Sequence, residues 1–357
     1  MNPISQDLSR WKRLVDTRID AFYAEEIGRR DYTSSFYKKV HTALNDYSMR
    51  GKRLRSMLLL IGYLGVKGTI TDDELERLVG ACVGVELLHS HFLIHDDIVD
   101  RDDYRRGGSS MHTRLEEIVP RGAVNERDFA IVAGDLVLAQ SCLALSKVEL
   151  DPERVQAARI IVAEAMVETN IGKLYDLLDI NRSLDRIEFE HILFVMTYRT
   201  SRYTIQMPLA VGATLAGSEN HHTQFEEFAN LLGTAFHLHH DLSHMDNGDA
   251  AQIRRDIREN KKTVLLKWLY DSATKDEQEF LSKLMGTKLT TADYHRVLTM
   301  LKTHGIIKRA EGYITELLAD ADKEVERLEF TEKGSEYLRH IMRALAGQED
   351  ITGQEAK

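Results

Sequence analysis

The chain has 357 residues, 43% apolar and 29% charged, a composition of globular proteins that excludes a disordered chain. Its formal net charge of −10 argues against nucleic acid as a partner, and two cysteines are too few for a disulfide framework. We find no run of the roughly 18 apolar residues that span a bilayer and no signal peptide, so we expect a cytoplasmic protein without an integral membrane segment.

Helices are expected almost throughout, because only four prolines occur and the intervals between them are rich in Leu, Ala, Glu and Arg. The predicted helices, in chain order, are 4–27, 34–47, 54–64, 72–100, 126–146, 152–179, 185–215, 221–245, 263–271, 275–285, 291–328 with a break near Gly305, and 333–345. The predicted loops are 65–70, 104–125, 217–220 and 247–262. This pattern predicts one large all-α domain over 1–346 and a disordered tail over 347–357.

The helix predicted over 72–100 is apolar on more than one face, which places it in the middle of a bundle. It ends in Asp96, Asp97 and Asp100, with Asp96 and Asp100 one turn apart on one face. Carboxylate oxygens suit Mg²⁺, and the arginines that follow, Arg105 and Arg106, suit phosphate groups. The segment therefore predicts a phosphorylated substrate held through a metal ion. The alternative, a solvated acidic helix end, fits less well beside the apolar run that precedes it.

Further segments follow in order between about residue 50 and residue 265. They are Gly51-Lys52-Arg53-Leu54-Arg55, the stretch from Glu86 through the aspartates to Gly107, Ala133-Gly134-Asp135-Leu136, Gly172-Lys173 to Asp176, Arg199-Thr200 to Gly217, and Asp256 to Lys261-Lys262-Thr263. As an ordered set these segments resemble the motifs of the trans-isoprenyl diphosphate synthases, the polyprenyl synthetase family, and among them the short-chain farnesyl and geranylgeranyl type.

The resemblance implies a helical bundle of the isoprenoid synthase type with a central active-site cavity, and usually a homodimer. It also implies a prenyltransferase whose substrates are isopentenyl diphosphate and an allylic diphosphate. The allylic diphosphate, bound through Mg²⁺ on two aspartate motifs, ionises; isopentenyl diphosphate attacks the cation and a proton is lost. Metal ions and basic groups stabilise the leaving diphosphate, and an apolar cavity excludes water.

The resemblance also implies roles for single residues. Asp96 and Asp100 would bind Mg²⁺, with Asp97 in the same catalytic cluster, and Arg105 would meet the allylic diphosphate. The residues implied to hold isopentenyl diphosphate are Lys52, Arg55, His89 and Arg106. Those implied to lie about the allylic site are Arg199, which replaces a lysine, Thr200 and Lys262.

The second aspartate motif departs from the family pattern. His240 replaces the first aspartate, Asp241 keeps the second as the expected metal ligand, and His244 replaces the third. His237 stands where glutamine is usual and is counted among the substrate-binding residues. The lysine expected near Ala251 is missing, and Arg254 or Arg255 are its candidate substitutes. Because imidazole is a poor Mg²⁺ ligand, we expect weaker metal binding or tolerance of Mn²⁺.

Other functions stay open at this stage. A diverged family member could have reduced catalysis, as a regulatory or heteromeric subunit, or could use another acceptor. The spacing of His240-Asp241 and His244, together with His95-Asp96, would also fit a histidine-aspartate metal phosphohydrolase. A purely structural helical protein is the non-enzymatic alternative.

Product length is expected to depend on the residues one turn before Asp96, which in this family line the floor of the allylic cavity. Here they are His91 and Phe92. Both are large, so a growing chain should be blocked early, at about C15 to C20.

Overall fold

The computed structural model describes residues 2–29, 34–119, 125–218, 223–243 and 251–347. These residues are mostly helical, which confirms the all-α prediction. The α-helices are α1 (Pro3–Arg29), α2 (Ser35–Ser48), α3 (Leu54–Lys67), α4 (Asp72–Asp100), α5 (Met111–Ile118), α6 (Glu126–Ser146), α7 (Pro152–Asp179), α8 (Phe189–Met196), α9 (Met207–Ala216), α10 (Glu226–Ser243), α11 (Ala251–Arg258), α12 (Val264–Ser272), α13 (Lys275–Leu284), α14 (Thr291–Thr303), α15 (Ile306–Arg327) and α16 (Glu332–Leu345).

Helices α4, α6 and α7 begin and end at the predicted residues. Capping residues at the helix N-termini explain this agreement. Thr71 and Glu74 form a reciprocal capping box at the start of α4, and Asn125 and Asp128 form another at α6. The predicted break near Gly305 is also confirmed, because Gly305 adopts a left-handed φ of 68° between α14 and α15.

The predicted loop over 104–125 was wrong in two places. A two-stranded antiparallel hairpin pairs β1 (Tyr104–Arg105) with β2 (Gly108–Ser109), and α5 follows it. Arg106 and Gly107, with φ of 50° and 71°, form the two-residue turn, in the conformation that matches strand twist. The strands are too short for an alternating pattern, and α5 buries only Met111, His112 and Leu115.

Two further predictions need correction. The predicted loop over 247–262 contains α11, whose isoleucines Ile253 and Ile257 are buried one turn apart among charged neighbours. The helix predicted over 185–215 is a 3₁₀ turn at Leu184–Arg186, then α8, a π-helical segment at Thr197–Gln206, and α9. Apolar spacing does not distinguish π from α hydrogen bonding, although π segments often mark functional sites.

The described residues fall into two compact units. The first unit comprises those of 1–160 and 208–219, and the second those of 161–207 and 220–350. The single domain over 1–346 stays a prediction. Of the predicted disordered tail over 347–357, only Gly347 lies among the described residues.

Each unit has its own apolar core. In the first, α4 packs against α6 and α3, and its middle part from Ala81 to Leu88 is buried all round, as the sequence predicted. In the second, α10 packs against α15 and the π-helical segment, and Trp268 stacks on Phe189 beside Tyr313. Both cores bring polar helix ends to sites described below.

Two described helices, α4 and α6, are long and apolar enough to cross a membrane by length and composition. The apolar window of α4 is 78% buried and that of α6 is 44% buried. Length and composition are weak indications of a membrane span, because buried core helices share both properties.

Candidate active site

The three aspartates at the end of α4 differ in burial. Asp97 is fully buried, whereas Asp96 and Asp100 are each partly exposed. The Tyr47 hydroxyl donates to Asp97 Oδ2 at 2.7 Å, and Arg105 Nε donates to Asp97 Oδ1. Burial raises the pKa of Asp97, while the charge of Arg105 opposes that rise. These contacts make Asp97 a residue that holds Arg105 in place; its predicted place in the catalytic cluster, and the predicted metal-binding role of Asp96 and Asp100, stay predictions.

Arg105 lies at the end of β1, half-buried beside α4. Its Nη2 is 3.3 Å from Asp102, in addition to the Nε contact with Asp97. Burial opposes the charged form, but the contact with Asp97 and the nearby charge of Asp96 keep the pKa of Arg105 raised. The guanidinium is therefore held in place and fully charged, and its predicted contact with a phosphate group stays a prediction.

The hairpin turn carries Arg106 to His89. Arg106 Nη2 lies 2.8 Å from His89 Nε2, and Arg106 Nη1 donates to the Arg50 carbonyl at 2.6 Å. Arginine can only donate, so His89 Nε2 accepts and the ring is neutral with its proton on Nδ1. Burial, followed by the charges of Arg55 and Arg106, holds the pKa of His89 well below its usual value. The structure thus brings together three of the four residues predicted to hold isopentenyl diphosphate, and Lys52 is exposed at the start of the same segment.

Arg53 is a structural residue that the sequence motif treats as variable. It is buried, with a left-handed φ of 60°, and donates to Asp16 at 2.6 Å and to the Ser48 carbonyl at 2.6 Å. Glu86 on α4 lies 3.5 Å from it and accepts from Ser56 N and Oγ, both at 3.1 Å. This network fixes the start of α3, and with it Arg55. The available signal was Glu86, an acid inside an apolar helix that requires a buried partner.

In the second unit, α7 and the π-helical segment meet closely. A Cβ on Gly172 would lie 2.6 Å from Arg199 N, so only glycine permits this approach. Arg199 Nη1 donates to Asp176 at 2.6 Å, and Lys173 Nζ is 3.9 Å from the same carboxylate. Thr200 follows Arg199 and is partly buried. The predicted residues of this region therefore lie together.

Lys262 belongs to the same charged group. Burial lowers its pKa to about 8, while Asp179 and Asp176 oppose the shift. Lys262 Nζ donates to Asn260 Oδ1 at 2.8 Å. Asn260, with a φ of 56°, lies in a tight turn within the late motif. Lys262 is thus held by its own loop beside the acids of α7.

The altered second motif has one buried acid and one exposed histidine. Asp241 is 5% exposed, whereas the His240 side chain is 53% exposed. Burial lowers the pKa of His237, which keeps its ring neutral. His244 lies outside the described residues, as does the side chain of Ala251. Of the candidate substitutes for the missing lysine, Arg254 lies over the Tyr294 ring at 4.0 Å and Arg255 pairs with Glu259 at 3.2 Å.

Asp256 begins the late motif, but no role was predicted for it from the sequence. It is buried, and burial with the nearby charge of Asp241 raises its pKa to about 8. Gln252 donates to it at 2.8 Å, and Lys261 opposes the shift. Two buried carboxylates repel when both are ionised, and a bound cation removes that repulsion.

Both units therefore offer oxygen donors that fit Mg²⁺. Asp96 and Asp100 stand one turn apart on α4, partly exposed, and Asp241 and Asp256 are both buried, with the charge of Asp241 contributing to the raised pKa of Asp256. The exposed imidazole of His240 does not suit Mg²⁺, which prefers oxygen ligands. A cation at either acid pair would offset like-charge repulsion.

We predict that Asp97→Ala lowers the free energy of unfolding by about 3–5 kcal/mol, because it removes the fully buried partner of Arg105 and leaves only the longer contact with Asp102. Asp96→Ala, on the same helical turn but partly exposed, should change it by about 1 kcal/mol or less. Urea unfolding of both variants measures the difference. Equal losses would contradict the separate role of Asp97.

Comparison with known proteins agrees with this geometry. The family model described as "Polyprenyl synthetase" matches residues 37–301. A short chain isoprenyl diphosphate synthase of Methanocaldococcus jannaschii is 28% identical over 243 residues, 67% of this chain and 68% of the relative. A geranylgeranyl diphosphate synthase of Methanosarcina mazei is 30% identical over 220 residues, 60% of this chain and 62% of the relative.

Solved structures show the same fold. The geranylgeranyl pyrophosphate synthase of Corynebacterium glutamicum, complexed with isoprenyl diphosphate and magnesium, superposes with a TM-score of 0.83 at 23% identity. The match covers 96% of this chain and 99% of that one. The predicted isoprenoid synthase fold is therefore confirmed. The family model spans most of the chain, from α2 to α14, and so the chain belongs to the polyprenyl synthetase family.

Proposed function

We propose that this prenyltransferase condenses an allylic diphosphate with isopentenyl diphosphate, head to tail, and releases a short prenyl diphosphate of about C15 to C20. The observation that carries the proposal is the arrangement at the end of α4, where Asp97 fixes Arg105 and leaves Asp96 and Asp100 partly exposed. The curated relatives, named for short-chain and geranylgeranyl products, support the same reaction class.

In this reaction the carbon–oxygen bond of the allylic diphosphate breaks, the new carbon–carbon bond forms to isopentenyl diphosphate, and a proton is lost. Arg105 binds and orients the leaving diphosphate. We assign Lys262, Arg199 and Thr200 to binding of the same allylic diphosphate. When bound, Mg²⁺ would supply the charge that stabilises the departing diphosphate. We assign Asp96, Asp100 and Asp241 as its ligands, with Mn²⁺ as a possible substitute.

We assign the binding of isopentenyl diphosphate to residues at the start of α3 and in the hairpin turn. Arg55 and Arg106 carry the charge that a diphosphate requires, and the neutral His89 accepts from Arg106 and so fixes its direction. Lys52 is exposed and adds a flexible charge. His237, which is neutral, is the substrate-binding residue assigned on α10 of the second unit.

The altered second motif supports one alternative. A diverged member, acting as a heteromeric or regulatory subunit or with another acceptor, would explain the exposed His240 in place of an aspartate. Family membership leaves the phosphohydrolase and the purely structural alternative without support.

We expect purified protein with isopentenyl diphosphate, a C5, C10 or C15 primer and Mg²⁺ to form elongated diphosphates detectable by mass spectrometry. Asp96→Ala should lower kcat about 100-fold or more, because it removes charge stabilisation of the leaving group. Glu76→Ala, at an exposed site earlier on α4, is the matched control and should keep wild-type activity. A folded wild-type protein that elongates no primer, with Mg²⁺ or Mn²⁺, would favour the diverged subunit.

We assign control of product length to Phe92, which is partly buried and lies one turn before Asp96. The Phe92 ring lies 5.3 Å from the His91 ring. Phe92→Ala removes bulk where the growing chain would stop, so we expect the main product to lengthen by one or more C5 units. Phe280→Ala on α13 removes an equal volume elsewhere and should leave the product distribution unchanged. Unchanged products from Phe92→Ala would refute the assignment.

We also propose a cytoplasmic homodimer. Both cysteines are free thiols, which fits a reducing compartment. Helix α7 exposes an apolar stripe spaced by four, three and four residues, made of Val167, Ile171, Leu174 and Leu178. A second copy of the chain would bury this stripe, since single apolar residues are ordinary on a surface but a contiguous stripe marks an interface.

Leu174 is 68% exposed at the centre of that stripe. We predict that Leu174→Glu shifts the mass measured by light scattering from dimer to monomer, because the new charge cannot be buried at an apolar contact. Ala319→Glu, which adds the same charge at an exposed site on α15, should leave the dimer intact. A monomeric wild type, or a dimer in the Leu174→Glu variant, would contradict this interface.

A further inference from the structure

A second cluster of ligand-type side chains lies outside the aspartate motif, between α4 and α6. His91 and His95 lie one turn apart on α4, and Asp135 lies on α6. The ligand atoms that these three residues offer lie within 4.8 Å of one another. The two imidazole rings are 4.5 Å apart, and His95 Nε2 is 3.5 Å from Asp135 Oδ1. Histidines at i and i+4 present both rings on one face of a helix.

A hydrogen bond at Nδ1 of His91 leaves its Nε2 available to a metal ion. Its Nδ1 lies 3.0 Å from the Gly134 carbonyl oxygen. A carbonyl can only accept, so Nδ1 carries the proton, and the neutral ring keeps its lone pair on Nε2. Donation of the second ring N–H to a backbone carbonyl is the usual arrangement for a metal-binding histidine, because it fixes the tautomer and the ring orientation.

His95 supplies an independent indication. Its Nε2 is buried and has no hydrogen-bond partner within the described part of the chain. The contact with Asp135 at 3.5 Å is longer than an ordinary hydrogen bond. It is close to the ~3.3 Å that separates two ligand atoms on one tetrahedral Zn²⁺ ion. A Cβ on Gly134 would lie 2.3 Å from the His95 ring, so this glycine allows the ring to reach α6.

We propose that His91, His95 and Asp135 bind a divalent transition-metal ion, with Zn²⁺ as the preferred ion and water as a fourth ligand. Two imidazoles and one carboxylate form a donor set typical of Zn²⁺ with an open position. The same set disfavours Mg²⁺, which takes oxygen ligands almost exclusively. The site is therefore chemically distinct from the aspartates that follow it on α4, although His95 is their direct neighbour in sequence.

A bound ion would join α4 to α6 at the level of His91. It would hold His91 in one orientation next to Phe92. The inference does not depend on the proposed reaction, since metal binding is measured without substrate. An inactive protein could still contain this site, and an active one could lack it.

The test uses the full chain freed of metal by a chelator, in excess Mg²⁺ so that the aspartate sites are occupied. Zn²⁺ should bind with one equivalent, raise the thermal unfolding midpoint, and be replaceable by Co²⁺ with a visible absorption band of tetrahedral geometry. Asp135→Asn and His95→Gln should each weaken Zn²⁺ binding about tenfold or more. The Asp135 side chain is 63% exposed, so Asp135→Asn removes a ligand without disturbing the core.

His240→Gln is the matched control, because the second motif holds the other neighbouring histidines. It should leave the affinity for Zn²⁺ and the Co²⁺ band unchanged. Undiminished Zn²⁺ binding in Asp135→Asn and His95→Gln, loss of binding in His240→Gln, or full displacement of Zn²⁺ by Mg²⁺ would each overturn the proposal.

Discussion

The buried contact between Asp97 and Arg105 is the interaction on which the geometry of the candidate site in the first unit depends. It joins the end of α4 to the hairpin, and Tyr47 adds α2 to the same contact. A buried charge pair of this kind adds little net stability, but it is costly to break and selects one geometry. Here the selected geometry turns Asp97 away from solvent and leaves Asp96 and Asp100 on the partly exposed face.

Contacts with fixed partners also hold the basic residues of the first unit in place. Arg53 is fixed by Asp16 and Glu86, so Arg55 in the first turn of α3 lies in a defined position. Arg106 is fixed by His89 and the Arg50 carbonyl. Neutral or acidic partners therefore orient the cations before any substrate arrives. Preorganised charge of this kind would bind a diphosphate group without reorganisation of the side chains.

The sequence predicted the long helices well, because capping residues and apolar spacing act locally. It also predicted the grouping of His89, Arg55 and Arg106, through the order of the motifs. It failed for α5 and α11, whose few buried residues give too short a pattern, and for the π-helical segment, which has no signature in apolar spacing. The roles of Asp97, Arg53 and Asp256 depend on burial and on partners distant in sequence, which a linear motif does not contain.

In the second unit the acids Asp241 and Asp256 are buried, whereas Asp96 and Asp100 in the first unit are partly exposed. Asp241 and Asp256 share a buried region, and the raised pKa of Asp256 follows from burial and from Asp241. An exposed His240 contributes no carboxylate there. The most direct measurement is a crystal structure with Mg²⁺ and a non-reactive allylic diphosphate analogue. We expect an ion on Asp96 and Asp100, the diphosphate on Arg105, and Asp97 still paired with Arg105. An ion bound by Asp97, or neither ion nor phosphate at the end of α4, would contradict this account.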